Sequence, residues 1–286
     1  MKAGTTPTTA TAGVTGSQLG APVRAGATGP RNRSTFGRFV SDTLTMTRRN
    51  VLYLVRRPQV IVFALISPIM FVSLFNFVFG GSLDVPGLSY ANYLIPGIMV
   101  QTVMFGGSNT AVGLAEDMTR GVIDRFRSLP MSRLAVLSGR TMADAMRGII
   151  TNSVIIVMGF VIGFRFNNGF GWAVASFLLV LLFGYSITWF YAWMGLSLGN
   201  VEAVQAASFL PAFPLTFAAS TFAPVENMPG WLQVFSAHQP VTQVVDATRA
   251  MMQGGEIAGP LVRSLLWCAG IMLVFGFLSV RQYRKG

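Results

Sequence analysis

Few side chains in this chain of 286 residues could do acid–base, metal or phosphate chemistry. His238 is the only histidine, so the sequence cannot build a metal centre or a relay that needs two histidines. Beside Gln239 and Pro240, we interpret it as a helix-end or packing residue. Cys268 is the only cysteine and lies in an apolar run, where we interpret it as a packing residue that can form no internal disulfide.

Phosphate chemistry is limited by the lysines, which are only Lys2 and Lys285. A P-loop needs a lysine that directly follows its glycine loop and opens a helix. This sequence therefore lacks a P-loop, and we predict no catalytic residue, bound metal or cofactor. If the protein uses ATP, the nucleotide and its magnesium are expected on a partner ATPase.

The composition indicates a membrane protein. Hydrophobic residues make up 52% of the chain and charged residues 11%, whereas soluble domains carry about a quarter charged residues. The net charge of +11 would suggest nucleic acid on a soluble protein. Here the arginines flank apolar runs, so we expect contacts with anionic lipid headgroups and no nucleic acid.

The first 57 residues divide into two parts. Residues 1–35 are rich in Thr, Ala, Gly and Pro and lack the apolar core of a signal peptide, so we predict a disordered cytoplasmic tail. Residues 36–57 place apolar side chains on one helical face and arginines on others. That pattern predicts an amphipathic helix in the cytoplasmic interface, which Pro58 ends.

Residues 58–286 predict an all-α integral membrane domain of six transmembrane helices. Each apolar run approaches the roughly 20 residues that cross a bilayer. The predicted spans are Val60–Phe79, Tyr93–Ala115, Gly148–Phe164, Trp172–Leu198, Val204–Phe222 and Leu261–Val280. With both termini inside, 18 of the 21 Lys and Arg residues face the cytoplasm, so the sequence predicts a multi-pass protein of the inner (plasma) membrane.

Two polar segments lie between these spans. The cytoplasmic loop 116–147 carries the densest charge in the chain, and without further information it could be an ordinary solvated loop. The external segment 223–260 is half apolar with near-helical spacing. It predicts short helices that are either re-entrant in the outer leaflet or an external cap over the bundle.

The spans themselves offer almost no charge away from their ends, which disfavours a carrier driven by protons or sodium. What they offer is aromatic surface, with a cluster in the fourth span. This cluster either faces lipid or forms part of an apolar substrate path. Its members are Trp189, Phe190, Tyr191 and Trp193.

Two stretches resemble a known family in their order and spacing. The first contains Glu116, Asp117, Gly121, Asp124, Arg125, Phe126, Arg127, Pro130, Ser132 and Arg133. It resembles the cytoplasmic loop of ABC-2 type exporter permeases. The second contains His238, Gln239, Pro240, Asp246 and Arg249, and it is similar to the segment before the last helix of daunorubicin-resistance type permeases. The likeness covers residues 36–286.

This resemblance implies a permease that works with two separate P-loop ATPase subunits and a second permease, identical or a sister chain. The loop residues would then contact the ATPase, with charge-assisted bonds from Asp124, Arg125 and Arg127 and an apolar anchor from Phe126. The implied function is ATP-driven export of a hydrophobic small molecule or lipid. The alternatives are an ion-coupled carrier or channel that acts without an ATPase and, more remotely, a lipid-modifying enzyme.

Overall fold

The computed structural model describes residues 58–81, 87–121 and 133–285, and all regular structure in these ranges is helical. The helices are α1 (Pro58–Phe79), α2 (Tyr90–Gly106), α3 (Ser108–Thr119), α4 (Arg133–Val161), α5 (Phe170–Leu198), α6 (Val201–Phe217), α7 (Gly230–His238), α8 (Pro240–Gln253) and α9 (Ala258–Lys285). A short 3-10 turn, Val225–Asn227, precedes α7. The predicted tail and interface helix lie outside the described residues.

Helix α5 is the centre of the bundle. It packs against α2, α3, α4, α6, α8 and α9. Its inward face buries Phe183 and Tyr191 completely, together with Leu94 and Ile98 from α2. On the α3 side, a Cβ at Gly195 would lie 2.5 Å from the carbonyl oxygen of Ala111, so the two backbones touch because this residue has no side chain.

Local chemistry explains the sharp turn from α5 to α6. Gly199 adopts a left-handed conformation (φ +64°) that L-residues disfavour, and it ends α5. Asn200 follows at once, and its side-chain oxygen accepts hydrogen bonds from the backbone N–H groups of Glu202 and Ala203. These bonds satisfy two of the free donors at the start of α6.

The predicted spans and the observed helices differ at several boundaries. The second predicted span is two helices, α2 and α3, that meet at Gly107. The helix that contains the third predicted span is α4. It begins at Arg133, well before the apolar run, because the polar residues of 133–147 are helical too. Helix α6 runs through Pro211 without a break and ends at Phe217, earlier than expected.

Within the described residues, three helical stretches are long and apolar enough to cross a membrane: Gly139–Val161, Phe170–Leu198 and Ala258–Tyr283. Leu65–Phe79 is a shorter apolar stretch. The total of six spans and the cytoplasmic position of both termini stay predictions.

The segment before the last helix is largely helical. Ten of the fourteen residues of α8 are buried, because the helix packs against α2, α5 and α9 instead of lying on the bundle surface. Helix α7 is far more exposed, and Trp231 is among its exposed side chains. The position of both helices relative to the lipid stays a prediction.

Candidate functional site

The structure describes only part of the predicted coupling loop. Glu116 and Asp117 lie in the last turn of α3, and Gly121 follows that helix with φ +65°. Arg133 is the first residue of α4. The remaining predicted loop residues lie outside the described residues, namely Asp124, Arg125, Phe126, Arg127, Pro130 and Ser132.

An ion pair joins the end of α3 to α4. Arg140 Nη1 donates to Asp117 Oδ2 at 2.6 Å, and both side chains are about one-quarter exposed. The guanidinium reaches this position over Gly113, where any Cβ would overlap it. Glu116 pairs instead with Arg120 on its own helix, at 3.6 Å and near the surface. The Asp117–Arg140 bond therefore ties the loop end of α3 to α4.

A second ionic group lies farther along α4. Arg147 Nη2 is 2.9 Å from Asp144 Oδ1, and the Asp144 side chain is only 9% exposed. The other carboxylate oxygen of Asp144 accepts a hydrogen bond from Thr110 of α3. Both carboxylate oxygens are thus engaged, and α3 is bound to α4 at a second point.

A cavity of about 510 Å³ opens beside this group. Residues from α1, α2, α3, α4, α5 and α6 line it. Its walls are mostly apolar and rich in aromatic rings: Phe71, Phe105, Tyr185, Phe209, Phe213 and Phe217. Asp144, Arg147 and Gln101 supply polar groups. An apolar chamber with a few polar groups is typical of sites for small organic molecules.

Two polar atoms of this cavity's lining residues have no hydrogen-bond partner among the described residues. They are Gln101 Oε1 and Arg147 Nε. Gln101 is only 4% exposed. Because nearly all buried polar groups in proteins are hydrogen-bonded, these two atoms are exceptions among the described residues.

The external motif begins at the junction of α7 and α8. His238 ends α7, and its Nδ1 lies 2.9 Å from the carbonyl oxygen of Val234. Gln239 caps α8, since its side-chain oxygen accepts from the N–H of Val241 and its amide nitrogen donates to the Leu215 carbonyl at 2.9 Å. Pro240 occupies the first turn of α8, where its missing N–H costs nothing.

Asp246 and Arg249 form the centre of a closed polar cluster. Arg249 Nη1 donates to Asp246 Oδ1 at 3.0 Å, and Nη2 donates to the Ser220 carbonyl at 2.6 Å. The guanidinium also donates to the Tyr93 carbonyl and lies 3.7 Å from the centre of the Tyr93 ring. Ser220 Oγ in turn donates to Asp246 at 2.6 Å. This cluster joins α8 to α2 and to the segment after α6.

Burial raises the pKa of the Asp246 carboxyl above its usual value, and the adjacent Arg249 guanidinium acts in the opposite direction. The Ser220 hydroxyl opposes the rise in this pKa as well, through its hydrogen bond. The charge of Asp246 therefore depends on its two partners. We interpret the cluster as a structural tie between elements.

The four aromatic residues of the predicted substrate path occupy different surroundings. Tyr191 is fully buried, and its hydroxyl donates to the Ser208 carbonyl at 3.3 Å. Trp189 packs in a small core at the end of α9. Phe190 and Trp193 both contact the ring of Phe275. Phe190 also lines an apolar cavity of about 460 Å³ that includes His238.

In the described ranges, no group of three or more His, Cys, Asp or Glu side chains lies close enough together to hold a metal ion. Cys268 is buried in the main core.

A helical bundle with charged α3 and α4 ends and a buried helix before its last span can be compared with known families. The family model described as ABC-2 type transporter matches residues 41–252. The chain belongs to the ABC-2 type transporter family. The resemblance drawn from the loop and external motifs is confirmed. ABC-2 chains are membrane proteins, which agrees with the apolar helices.

Individual relatives agree with this ABC-2 assignment. The chain is 32% identical, over 86% of its length and 87% of the relative's, to the daunorubicin resistance ABC transporter permease protein DrrB1 of Streptomyces coeruleorubidus. It is 28% identical, over 86% and 90%, to the probable doxorubicin resistance ABC transporter permease protein DrrC of Mycobacterium tuberculosis (strain ATCC 25618 / H37Rv). The putative transport permease ycf38 of Cyanophora paradoxa is 26% identical over 74% of each chain.

Sequence reasoning did not find the polar groups of this ABC-2 chain's larger cavity. Gln101 lies in an apolar run, where a single amide forms no spacing pattern. Asp144 and Arg147 fall within the predicted loop 116–147. A usable signal existed, since an Asp and an Arg three residues apart share one face of a helix.

Proposed function

We propose that this chain is the membrane-spanning permease subunit of an ATP-driven exporter of hydrophobic or amphipathic molecules. The main support is its membership of the ABC-2 family together with relatives named as drug resistance permeases. Two separate P-loop ATPase subunits bind ATP with magnesium, and a second permease completes the complex. The chain alone is not an enzyme.

The route of coupling is proposed from the contacts of α3. This helix ends at the predicted ATPase-contacting loop, and it is tied to α4 by the Asp117–Arg140 and Thr110–Asp144 bonds. Its other end, at Gly107 and Ser108, lines the larger cavity. A displacement of the loop by the ATPase would therefore reach the cavity through one rigid helix.

Such a displacement drives transport only if the two conformations that it connects differ in their affinity for the transported molecule. The cavity provides a surface for that difference, because α3 and α4 both contribute to its polar end. Movement of α3 against α4 would change the spacing of those polar groups. The proposal thus needs no charged residue on an ion path.

The test is transport by the whole complex. The full chain is purified with its copurifying ATPase and reconstituted in vesicles, and ATP-dependent movement of doxorubicin, after which one relative is named, is followed by fluorescence. We expect Arg125→Glu and Phe126→Ala to insert normally, to lose most ATP-driven transport and to weaken ATPase retention. Arg263→Glu, at an exposed position of α9, is the matched control.

Two results would contradict the proposal. Transport at the wild-type rate by both loop variants would remove the docking role from 116–133. Transport that needs no ATPase and collapses when an ionophore dissipates the ion gradients would instead support the ion-coupled carrier.

A further inference from the structure

We infer that Arg165 and the exposed face of α4 form a binding site for an anionic phospholipid. Arg165 lies between α4 and α5, at the end of the bundle that also carries the Asp246–Arg249 cluster. Arg165 would bind the lipid phosphate, and apolar side chains of α4 would contact the acyl chains. This site requires only the surrounding membrane and is independent of ATP-driven transport.

Arg165 lies at the depth of the lipid headgroups. Gly139–Val161 is one of the helical stretches that is long and apolar enough to cross a bilayer, and Arg165 follows its last residue by four positions. The hydrocarbon ends where such an apolar helix ends, so a side chain just beyond it meets the headgroup region. The Arg165 side chain is exposed, and a headgroup can therefore reach it.

The guanidinium of Arg165 is firmly held. The backbone N–H of Arg165 donates to Asn92 Oδ1 at 2.9 Å, and its carbonyl accepts from Gln253 Nε2 at 2.9 Å. On the side chain, Nη1 donates to the carbonyls of Phe160 and Phe164 at 3.0 and 2.7 Å, beside the C-terminal end of α4. Because the cation is already fixed, little side-chain entropy would be lost when a ligand binds.

The opposite edge of this guanidinium has donors to spare. Nε and Nη2 of Arg165 bond to no described residue, and no carboxylate of a described residue lies within 4.0 Å of them. Two parallel N–H groups on such an edge match two oxygens of one phosphate. Arg249 provides the contrast, since its Nε and Nη2 both donate to the Tyr93 carbonyl at 3.3 Å.

An apolar strip lies beneath the cation. The Arg165 guanidinium is 5.8 Å from the centre of the Phe160 ring, which is itself partly exposed. The exposed face of α4 continues at helical spacing through Val161, Val157 and Ile150. A cation above an apolar strip matches a phosphate above acyl chains. A zwitterionic headgroup carries its own cation, which Arg165 would repel, so the site favours an anionic lipid.

Quenching by brominated lipids tests this site at one position of the chain. Val157→Cys in a Cys268→Ala background carries a bimane fluorophore as the only labelled thiol, and the full chain is placed in phosphatidylcholine nanodiscs. Phosphatidylglycerol or phosphatidylcholine with brominated acyl chains is added in increasing fractions, because bromine quenches only a nearby fluorophore. We expect half-maximal quenching at about a fivefold lower fraction of the brominated phosphatidylglycerol, the advantage that one arginine near a lipid surface gives an anionic lipid.

A matched position and a matched arginine show where the preference arises. Leu273→Cys, on the exposed face of α9, should be quenched equally by the two lipids. Arg165→Gln keeps an amide that can bond the same carbonyls but has no charge, so it should remove the preference at position 157. Arg263→Gln should keep the preference, because Arg263 Nε already donates to the Gly259 carbonyl and its edge is not free.

Salt provides a test without substitution of the arginine, in case Arg165→Gln does not fold. Raising sodium chloride from about 0.1 M to about 1 M shortens the Debye length from about 10 Å to about 3 Å. Because Arg165 is exposed, we expect the preference at position 157 to fall below about twofold in the high salt.

Four results would overturn the inference. They are equal quenching at position 157 by the two brominated lipids, a preference that persists in Arg165→Gln, the same preference at position 273, and a preference that high salt leaves unchanged. None of these measurements uses ATP or an ATPase, so each result leaves the proposed exporter function to its own test.

Discussion

The same four-residue pattern, Asp-Ala-x-Arg, occurs twice in this ABC-2 chain with opposite outcomes. Asp144 and Arg147 pair at 2.9 Å on α4, and Asp246 and Arg249 pair at 3.0 Å on α8. In the second pair, the arginine also bonds two backbone carbonyls and lies on the ring of Tyr93. In the first pair, Arg147 Nε has no partner in the described residues and the pair borders a cavity.

The contrast shows that the local sequence determines whether the ion pair forms, and that the surrounding residues determine what else the arginine can bind. An arginine surrounded by fixed carbonyls joins elements, and each nitrogen of its guanidinium is hydrogen-bonded. An arginine beside an open space keeps bonding capacity for another molecule. The α8 pair is therefore expected to contribute more to stability than the α4 pair.

The largest expected effect comes from opening the closed cluster. Arg249→Met should lower the free energy of unfolding by about 3 kcal/mol, because it removes the charge partner of the buried Asp246 and one donor from each of the Tyr93 and Ser220 carbonyls. Thermal unfolding of the purified chain in detergent measures the loss. Arg263→Met, on the exposed side of α9, is the control. Equal unfolding midpoints for the two variants would break the comparison.

A pair of glycine substitutions gives the next largest effect. In Gly97→Ala, the new Cβ would lie 2.5 Å from the Thr221 carbonyl oxygen, next to the closed cluster, so backbone must move and we expect a cost of about 2 kcal/mol.

Gly113→Ala meets only the tip of the Arg140 side chain, which can swing away. It should cost less than about 1 kcal/mol while it breaks the Asp117–Arg140 bond. We therefore expect reduced ATP-driven transport from a stable protein. A Gly113→Ala protein as unstable as Gly97→Ala would contradict this assignment.

The smallest expected effect on stability concerns the Asp144–Arg147 pair, which borders the cavity. The double variant Asp144→Asn with Arg147→Gln removes both charges but keeps side chains that can bond each other and Thr110. Unfolding free energy should change by less than about 1 kcal/mol, because neutralising a whole pair leaves no unpaired charge. Thermal unfolding of the purified chain in detergent measures the change. A loss as large as that of Arg249→Met would show that both pairs are structural.

Much of the helical layout could be predicted from the sequence, for a physical reason. A segment that crosses lipid must form a long apolar helix, and such a helix is visible in the composition of the sequence. The predicted span Trp172–Leu198 therefore nearly coincides with α5. Boundaries failed where helices continue into polar residues. The start of α4 at Arg133 is an example, because charged side chains favour helix as much as many apolar ones do.

The candidate site was predicted less well. The motif residues Asp246 and Arg249 could be named, but their partners Tyr93 and Ser220 are distant in sequence and share no pattern with them. The cavity could not be predicted either, because no sequence pattern encodes an unfilled space. Such a space arises only when six helices have been packed together.

The joint between α2 and α3 has a mechanical consequence. Gly107 lies against the ring of Tyr191, where even one methyl group would collide. The ring is itself held by Ser208 of α6, so the joint is fixed at this point and a tilt of α3 would turn about it. The twelve residues of α3 span about 18 Å. A small change of angle at Gly107 would therefore displace the other end of α3 by some ångströms.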